Sequence, residues 1–344
     1  MEAMWSLAPP RSRSARARAA LGAVVVAASL GGPWSGAPAA RGEDPGSATG
    51  CVVPVFVDDD ATLVKAYDGL RLGLEEANLP RACRKRPATD DAKGWATAAA
   101  EVAAVKAPFV VALGRAASAA VAATAFPGPT GRLPCVYVDV AVSLGFAAFP
   151  DLPRRPAPFA TVRAEIPLER VGRVVTDLLP GRPALTVLLP WSRVPPDVAA
   201  VLARAEATTG VRWSTDASVP PDVILDLPLD AGEVREPFAA LLARARSLRV
   251  PLVSLDRGRF GEGAAVVVVP DAALVGRVVA EAARRVASAG PDDAPLRLVV
   301  RTTEVWVDLE AAAAEGLDPP LPFLARADRL RRARPSPAPT GGER

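Results

Sequence analysis

An α/β fold built from two Rossmann-like lobes is predicted for this chain, and three observations predict it. Short apolar runs alternate with stretches whose apolar residues recur at i, i+3 and i+4, the pattern of a mainly parallel sheet with helices between its strands. The alternation comes in two similar series, each about the size of a small domain, without repeated sequence. A chain of 344 residues is also long enough to bury two modest cores.

The first series opens with an apolar run at 52–57, followed by a helix carrying Leu63, Ala66, Tyr67, Leu70 and Leu74 on one face. Asn78-Leu79-Pro80 ends that helix, and Pro87 ends a short strand at 82–86. A helix over 95–105 leads into a strand at 109–113. Gly114 and Arg115 then turn the chain into an Ala-rich helix at 116–124, and 135–138 reads as a further strand. The second series begins at Pro183. Its strands are expected at 185–189, 211–214, 222–227, 251–255 and 264–269, and its helices at 195–209, 236–248 and 272–288, with a Gly-rich turn at 258–263. Two such lobes leave a cleft between the carboxyl ends of their strands, where small ligands bind.

Composition removes several chemistries. The chain has no His, so a Ser-His-Asp triad, a His-ligated zinc and a haem with a proximal His are all excluded. The net charge of +3 sits entirely in residues 1–39, where Arg11, Arg13, Arg16 and Arg18 face Glu2 alone. The rest of the chain is neutral, which gives no electrostatic case for nucleic acid or an anionic membrane.

Residues 1–18 form a basic leader, 19–30 an apolar run, and Ala37-Pro38-Ala39 a small-x-small cleavage site, the order of a secretory signal peptide over 1–39. The run falls well short of the roughly 20 residues that span a bilayer. The protein is therefore expected to be periplasmic or otherwise exported; the alternative is a cytosolic protein with an Arg-rich leader. Residues 40–50 read as a linker. Cys51 does not suit a lipid anchor, because Ala48-Thr49-Gly50 lack the usual Leu and the apolar run ends far upstream. Export would permit disulfides. Cys51 and Cys83 open neighbouring strands and are candidates for a bridge, which would leave Cys135 a buried thiol; three reduced cysteines are the alternative.

Asp58-Asp59-Asp60-Ala61-Thr62 follows an apolar strand and matches the DxDxT loop of haloacid dehalogenase-like phosphatases, in which Asp58 would be the nucleophile and Asp60 the acid/base. That chemistry also needs a later Lys and a metal-binding acidic pair. The four lysines (Lys65, Lys85, Lys93 and Lys106) all lie early, and Pro270-Asp271 offers one carboxylate. Helix capping or ligand contact is the preferred reading of the acidic run. Gly258, Gly261 and Gly263 lack the dinucleotide-binding spacing and precede a strand, so they read as a turn or hinge. No CxxC, calcium-loop or GxSxG motif occurs. Trp191-Ser192-Arg193, just past a strand, either lines a pocket or anchors an exposed loop.

The segment Val307-Asp308-Leu309-Glu310-Ala311, with Gly316-Leu317, Pro319-Pro320 and Leu324-Ala325-Arg326-Ala327-Asp328, resembles the ending of the ABC-transporter substrate-binding protein family with the type 1 periplasmic-binding fold. Those proteins end in Asn-Leu-Lys-x-Ala-x-x-x-Gly-Leu, then Pro and Leu-x-Ala-Arg-Ala-Asp. Residues 185–213, Arg249-Val250-Pro251 up to Gly263, Gly276, Leu63 with Gly69, and the Gly114 turn are similar to further parts of the family, so the resemblance covers 51–330.

The resemblance implies a monomeric receptor without catalysis or cofactor. It would capture a small polar ligand, such as an amino acid, between lobes that close on a hinge, and would dock on a membrane permease and its ATPase. Three crossovers are implied near 163–168, 262–270 and 291–298. The N-terminal lobe would combine 51–164 with 271–290, the C-terminal lobe 165–270 with 291–330, and 331–344 would be a disordered tail. Cleft residues would be Asp58, Asp59, Gly114, Arg115, Asp139, Trp191, Arg193, Asp230, Asp256 and Arg257, with Arg115 or Arg193 pairing a ligand carboxylate. Departures from the family are Arg115 for a small hydroxyl residue, Asp308 for Asn, Val140 for the Pro after Asp139, and Asp230-Ala231 for Asp-Asn. A sensor or scaffold that presents ligand to a membrane partner is the alternative in this fold; the phosphatase is the alternative outside it.

Overall fold

The computed structural model describes residues 53–332 apart from 59–60, 86, 88, 90, 104–106, 125–126, 129–130, 133–134, 142–158, 192–195, 228–235 and 290–294. The expected signal peptide and linker, with Cys51, lie outside these residues, as do Asp59, Arg193 and Asp230.

The first series folds as β1 (Val53–Val57), α1 (Ala61–Glu76), β2 (Ala82–Lys85), α2 (Ala92–Ala103), β3 (Val110–Leu113), α3 (Arg115–Ala123), a two-strand ribbon β4 (Pro127–Gly128) and β5 (Gly131–Arg132), β6 (Cys135–Ala141) and β7 (Phe159–Glu165). The chain then enters a second lobe through α4 (Leu168–Leu178), β8 (Leu185–Leu188), α5 (Pro196–Thr209), β9 (Val211–Ser214), β10 (Val223–Asp226), α6 (Phe238–Leu248), β11 (Leu252–Ser254), a 3-10 turn at Arg257–Arg259 and β12 (Val266–Pro270). It returns to the first lobe for α7 (Ala272–Ser288) and β13 (Leu296–Val300). It finishes in the second with β14 (Thr303–Asp308), α8 (Leu309–Ala314), α9 (Leu321–Leu324) and β15 (Arg329–Arg331).

The first sheet is wholly parallel, in the order β13-β7-β6-β3-β1-β2. The second runs β15-β14-β12-β11-β10-β8-β9 and is parallel except where β14 meets β12. Continuous apolar runs form their centres, because helices cover both faces and every residue of β1, β3, β10 and β12 is buried. In the first lobe α1 and α7 pack on one face around Val55, Leu70, Val111 and Val279, while α2 and α3 pack on the other around Phe56, Trp95 and Tyr137. In the second, α4 and α5 cover Val187, Val211 and Val253, and α6 covers Leu188, Ile224 and Leu252.

Helices α1 and α7 approach so closely that glycine is required at the crossing. A Cβ on Gly276 would lie 2.1 Å from the Ala66 carbonyl oxygen, and one on Gly69 would lie 2.5 Å from that of Ala273. At the far end of the second lobe, the buried Glu315 side chain after α8 accepts the Leu252 N–H at 3.0 Å and so ties the C-terminal segment to the start of β11. Burial pushes its carboxyl up to about 8, against the pull of the Leu252 N–H and of Arg246.

The lobes are joined by three crossovers, at 165–168, 270–272 and 300–303. The third departs from the expectation of 291–298. β13 belongs to the first sheet, paired with β7, rather than to the second lobe as the division at 290 implied. The reason is local: α7 is held against α1, so the strand that follows it continues in the same lobe, and the crossing is deferred to Arg301 and Thr302. Arg331, expected to open a disordered tail, instead ends β15 and pairs with Asp308 at 2.8 Å. The sequence reading also gave no strand or helix for β7 and α4. The crossovers are tied together: Arg301 Nε meets the buried Glu165 carboxylate at 3.0 Å, and the Asp271 N–H donates to the Thr302 carbonyl at 3.0 Å.

Candidate functional site

Each crossover leaves the carboxyl end of its strand, β7, β12 or β13, so the carboxyl edges of both sheets border the hinge. The strand orders add a second constraint. In the first sheet β1 connects onward to β2 on one side, whereas β3 lies on its other side and leads away to β6. The second sheet repeats this arrangement with β8, β9 and β10. Connections that leave adjacent strands in opposite directions open a crevice at their carboxyl ends. These crevices fall after β1 and β3 in one lobe and after β8 and β10 in the other. The 3-10 turn at Arg257–Arg259 also lies against α1, across the gap between the lobes.

Asp58 follows β1 and Gly114 follows β3, so both stand at the first crevice. The Asp58 carboxylate accepts the Ala117 N–H at 2.8 Å and the Ala116 N–H at 3.1 Å, satisfying two of the otherwise unpaired donors at the start of α3. The acidic run was expected to cap the helix that follows it, through Asp60 or Thr62. Asp60 lies outside the described residues; Asp58 caps a different helix, 58 residues onward, because β1 and β3 are adjacent. A phosphatase nucleophile at Asp58 would have to attack through an oxygen that already accepts a helix N–H. Gly114 has φ +108, and a Cβ there would sit 2.2 Å from Asp58 Oδ2. Gly114→Ala is therefore expected to cost about 2–4 kcal/mol by denaturant unfolding. Part of that cost should vanish in the Asp58→Ala background, which removes the two closest contacts but keeps the Cβ of residue 58 at 2.7 Å and the backbone strain.

Arg115 is the first residue of α3 and Asp139 lies in β6, in register with Arg163 of β7; their side chains are outside what is described. Cys83 is disulfide-bonded, and Cys135 is buried and outside any disulfide.

At the second crevice Trp191 follows β8 and is 4% exposed, in the core cluster that includes Ile166, Leu189, Leu227 and Leu255. Its indole N–H has no acceptor among the described residues. Asp256 caps the 3-10 turn by accepting the Gly258 N–H at 2.9 Å, and Arg257 lies 4.4 Å from the centre of the Trp306 ring and 3.6 Å from Glu304. Burial raises the Glu304 carboxyl, while Arg257 and the Trp306 indole N–H oppose the shift.

The sequence reading missed the groups around these residues. Asp226, fully buried at the end of β10, accepts the Ser254 hydroxyl at 2.7 Å, and Arg259 lies 3.9 Å away. Arg259 also meets Asp256 at 3.4 Å and Glu262 at 2.8 Å, and its guanidinium lies over the Phe238 ring. Burial works against its charge, yet those carboxylates raise its pKa further. Asp226 was visible as the last polar residue of an apolar strand; Arg259 was hidden in a turn read only for its glycines. Among the described residues no group of three acidic or Cys side chains is arranged to hold a metal ion.

No protein-family model and no curated protein sequence matches the chain. Solved structures do. The ligand-free, open form of a substrate-binding protein with adhesive properties from Clostridium difficile superimposes with a TM-score of 0.59 at 13% identity, covering 83% of this chain and 100% of that one. The ABC domain in complex with L-Trp from Streptococcus pneumonia gives 0.54 at 18% identity over 81% and 99%. A conserved domain protein from Vibrio cholerae gives 0.55 at 15% identity over 82% and 100%.

The chain has the type 1 periplasmic-binding fold. Both crevices open at the carboxyl ends of their strands, the ends from which the crossovers leave. The first carries Asp58 and Gly114, the second Trp191 and the Asp226–Ser254–Asp256–Arg259 network.

Proposed function

We propose that the protein is an exported, non-enzymatic receptor that captures a small polar organic ligand in the interlobe cleft and passes it to a membrane permease driven by an ATPase. The observation that carries this reading is the pairing of two strand-order crevices across a three-segment hinge, which makes the space between the lobes the natural ligand site. The basic leader and cleavage site at 1–39 support export. The substrate-binding protein and the L-Trp complex of the same fold support solute capture and make amino acids the first ligands to test.

A thermal-shift screen with amino acids, small carboxylates, nucleosides and sugars tests the reading. Ligand at about 100 times its Kd adds roughly 2.7 kcal/mol of stability, so one chemical class should raise the melting temperature by about 5 °C or more in a dose-dependent way. A flat response to every class would overturn the receptor reading.

A further inference from the structure

The cleft charges described above are engaged within the protein. Asp58 is bonded to α3, Asp226 to Ser254 and Asp256 to the 3-10 turn, while Arg257 and Arg259 lie against carboxylates and aromatic rings. One polar group on that wall differs. The Trp191 indole N–H is buried at the carboxyl end of β8, at the second crevice, in the core cluster that also holds Ile166, Leu189, Leu227 and Leu255, and finds no acceptor among the described residues. A buried donor left unpaired costs on the order of 1–3 kcal/mol, a cost that a ligand acceptor would recover. The indole of Trp213 also lacks an acceptor, but it stands on the edge strand β9 level with Val187, short of the carboxyl end.

We propose that Trp191 determines ligand specificity: its indole N–H donates to a carbonyl or carboxylate oxygen of the ligand, and the apolar wall around it takes an apolar or aromatic body attached to that oxygen. This rests on the receptor reading and narrows it. Sugars and polyamines lack the body, and simple arylalkyl amines lack the acceptor. The unpaired donor also supplies a reason for a Trp, rather than a Phe of similar shape, at this buried position.

Four probes separate these features in thermal-shift titrations of the full chain. Phenylacetamide carries body and acceptor, 2-phenylethylamine carries the body alone, glucose has acceptors without the body, and putrescine has neither. Phenylacetamide alone should raise the melting temperature. Trp191→Phe, which keeps an aromatic ring but removes the N–H, should move its midpoint about three- to tenfold higher. Trp213→Phe should leave that midpoint unchanged, and the melting temperature of each variant without probe shows whether it is folded. Equal midpoints for Trp191→Phe and the parent would overturn the proposal, as would 2-phenylethylamine matching phenylacetamide. If phenylacetamide is silent while a solute without an apolar body stabilises the protein, the proposal fails and the receptor reading stands. If the probes and the whole screen are silent, both fail.

Discussion

Glu315→Gln should be more stable than the parent at pH 9 and should lack most of the parent's decline in stability between pH 5 and pH 8. The Glu315 carboxyl is pushed up to about 8 from an ordinary 4.5, chiefly because burial penalises its charged form. Between these two values the folded protein holds a proton that the unfolded chain has released, so stability falls as pH rises through the window and levels off above it. The full loss is on the order of 4 kcal/mol. Glutamine cannot ionise, and its carbonyl can still accept the Leu252 N–H. Its amide nitrogen would fall where Glu315 Oε1 now has no partner, so at pH 5 the variant should be slightly the less stable of the two. Thermal melts of both proteins from pH 5 to pH 9 should therefore cross. Parallel curves would show that Glu315 ionises without cost.

The second large effect is expected at Gly276. Valine there would bring a methine carbon to 2.1 Å from the Ala66 carbonyl oxygen and 2.4 Å from the Leu70 nitrogen. These are backbone atoms of a packed helix, so relief requires α1 and α7 to separate, which uncovers the buried Ala66, Leu70, Val275 and Val279. Overpacking of this kind costs about 3 kcal/mol or more, and the melting temperature should fall by roughly 10 °C. Gly181→Ala is the matched control: φ there is +83, but nothing lies within 4 Å of the new Cβ, so only backbone strain is added. It should cost about 1–2 kcal/mol. Similar losses at the two positions would mean that the α1–α7 crossing yields easily.

Where the pattern in the sequence was continuous and apolar, it located elements well. Residues 272–288 were read as the helix they form, and 52–57, 185–189 and 222–227 as buried strands. The stretch 159–178 was not read as strand and helix. Pro150, Pro153, Pro156 and Pro158 precede it, Pro167 interrupts it, and the inward residues of β7, Ala160, Val162 and Ala164, are small. The lobe to which 296–300 belongs was illegible for a different reason. Its alternating, half-buried pattern suits an edge strand of either sheet, and only the docking of α7 decides between them.

The site divides along the same line. Asp58, Gly114 and Trp191 follow apolar strands and could be named one by one. The bond between Asp58 and α3 depends on β1 lying beside β3, which no local pattern states. The Asp226–Ser254 pair likewise spans two strands and 28 residues, and Arg259 joins it only through the fold of a short turn.

The return of α7 and β13 to the first sheet also bears on biosynthesis. A ribosome supplies β1 to β7 first, then all of α4 to β12, before it delivers the helix that covers Val55, Leu70 and Val111. The N-terminal half must therefore wait, with one apolar face open, until residues 272–300 have emerged. A fragment ending near Glu165 would lack that cover and the edge strand beside β7, and should aggregate rather than fold. The lobes are units of shape but not of synthesis, and the nascent chain's exposure to chaperones should last until α7 arrives.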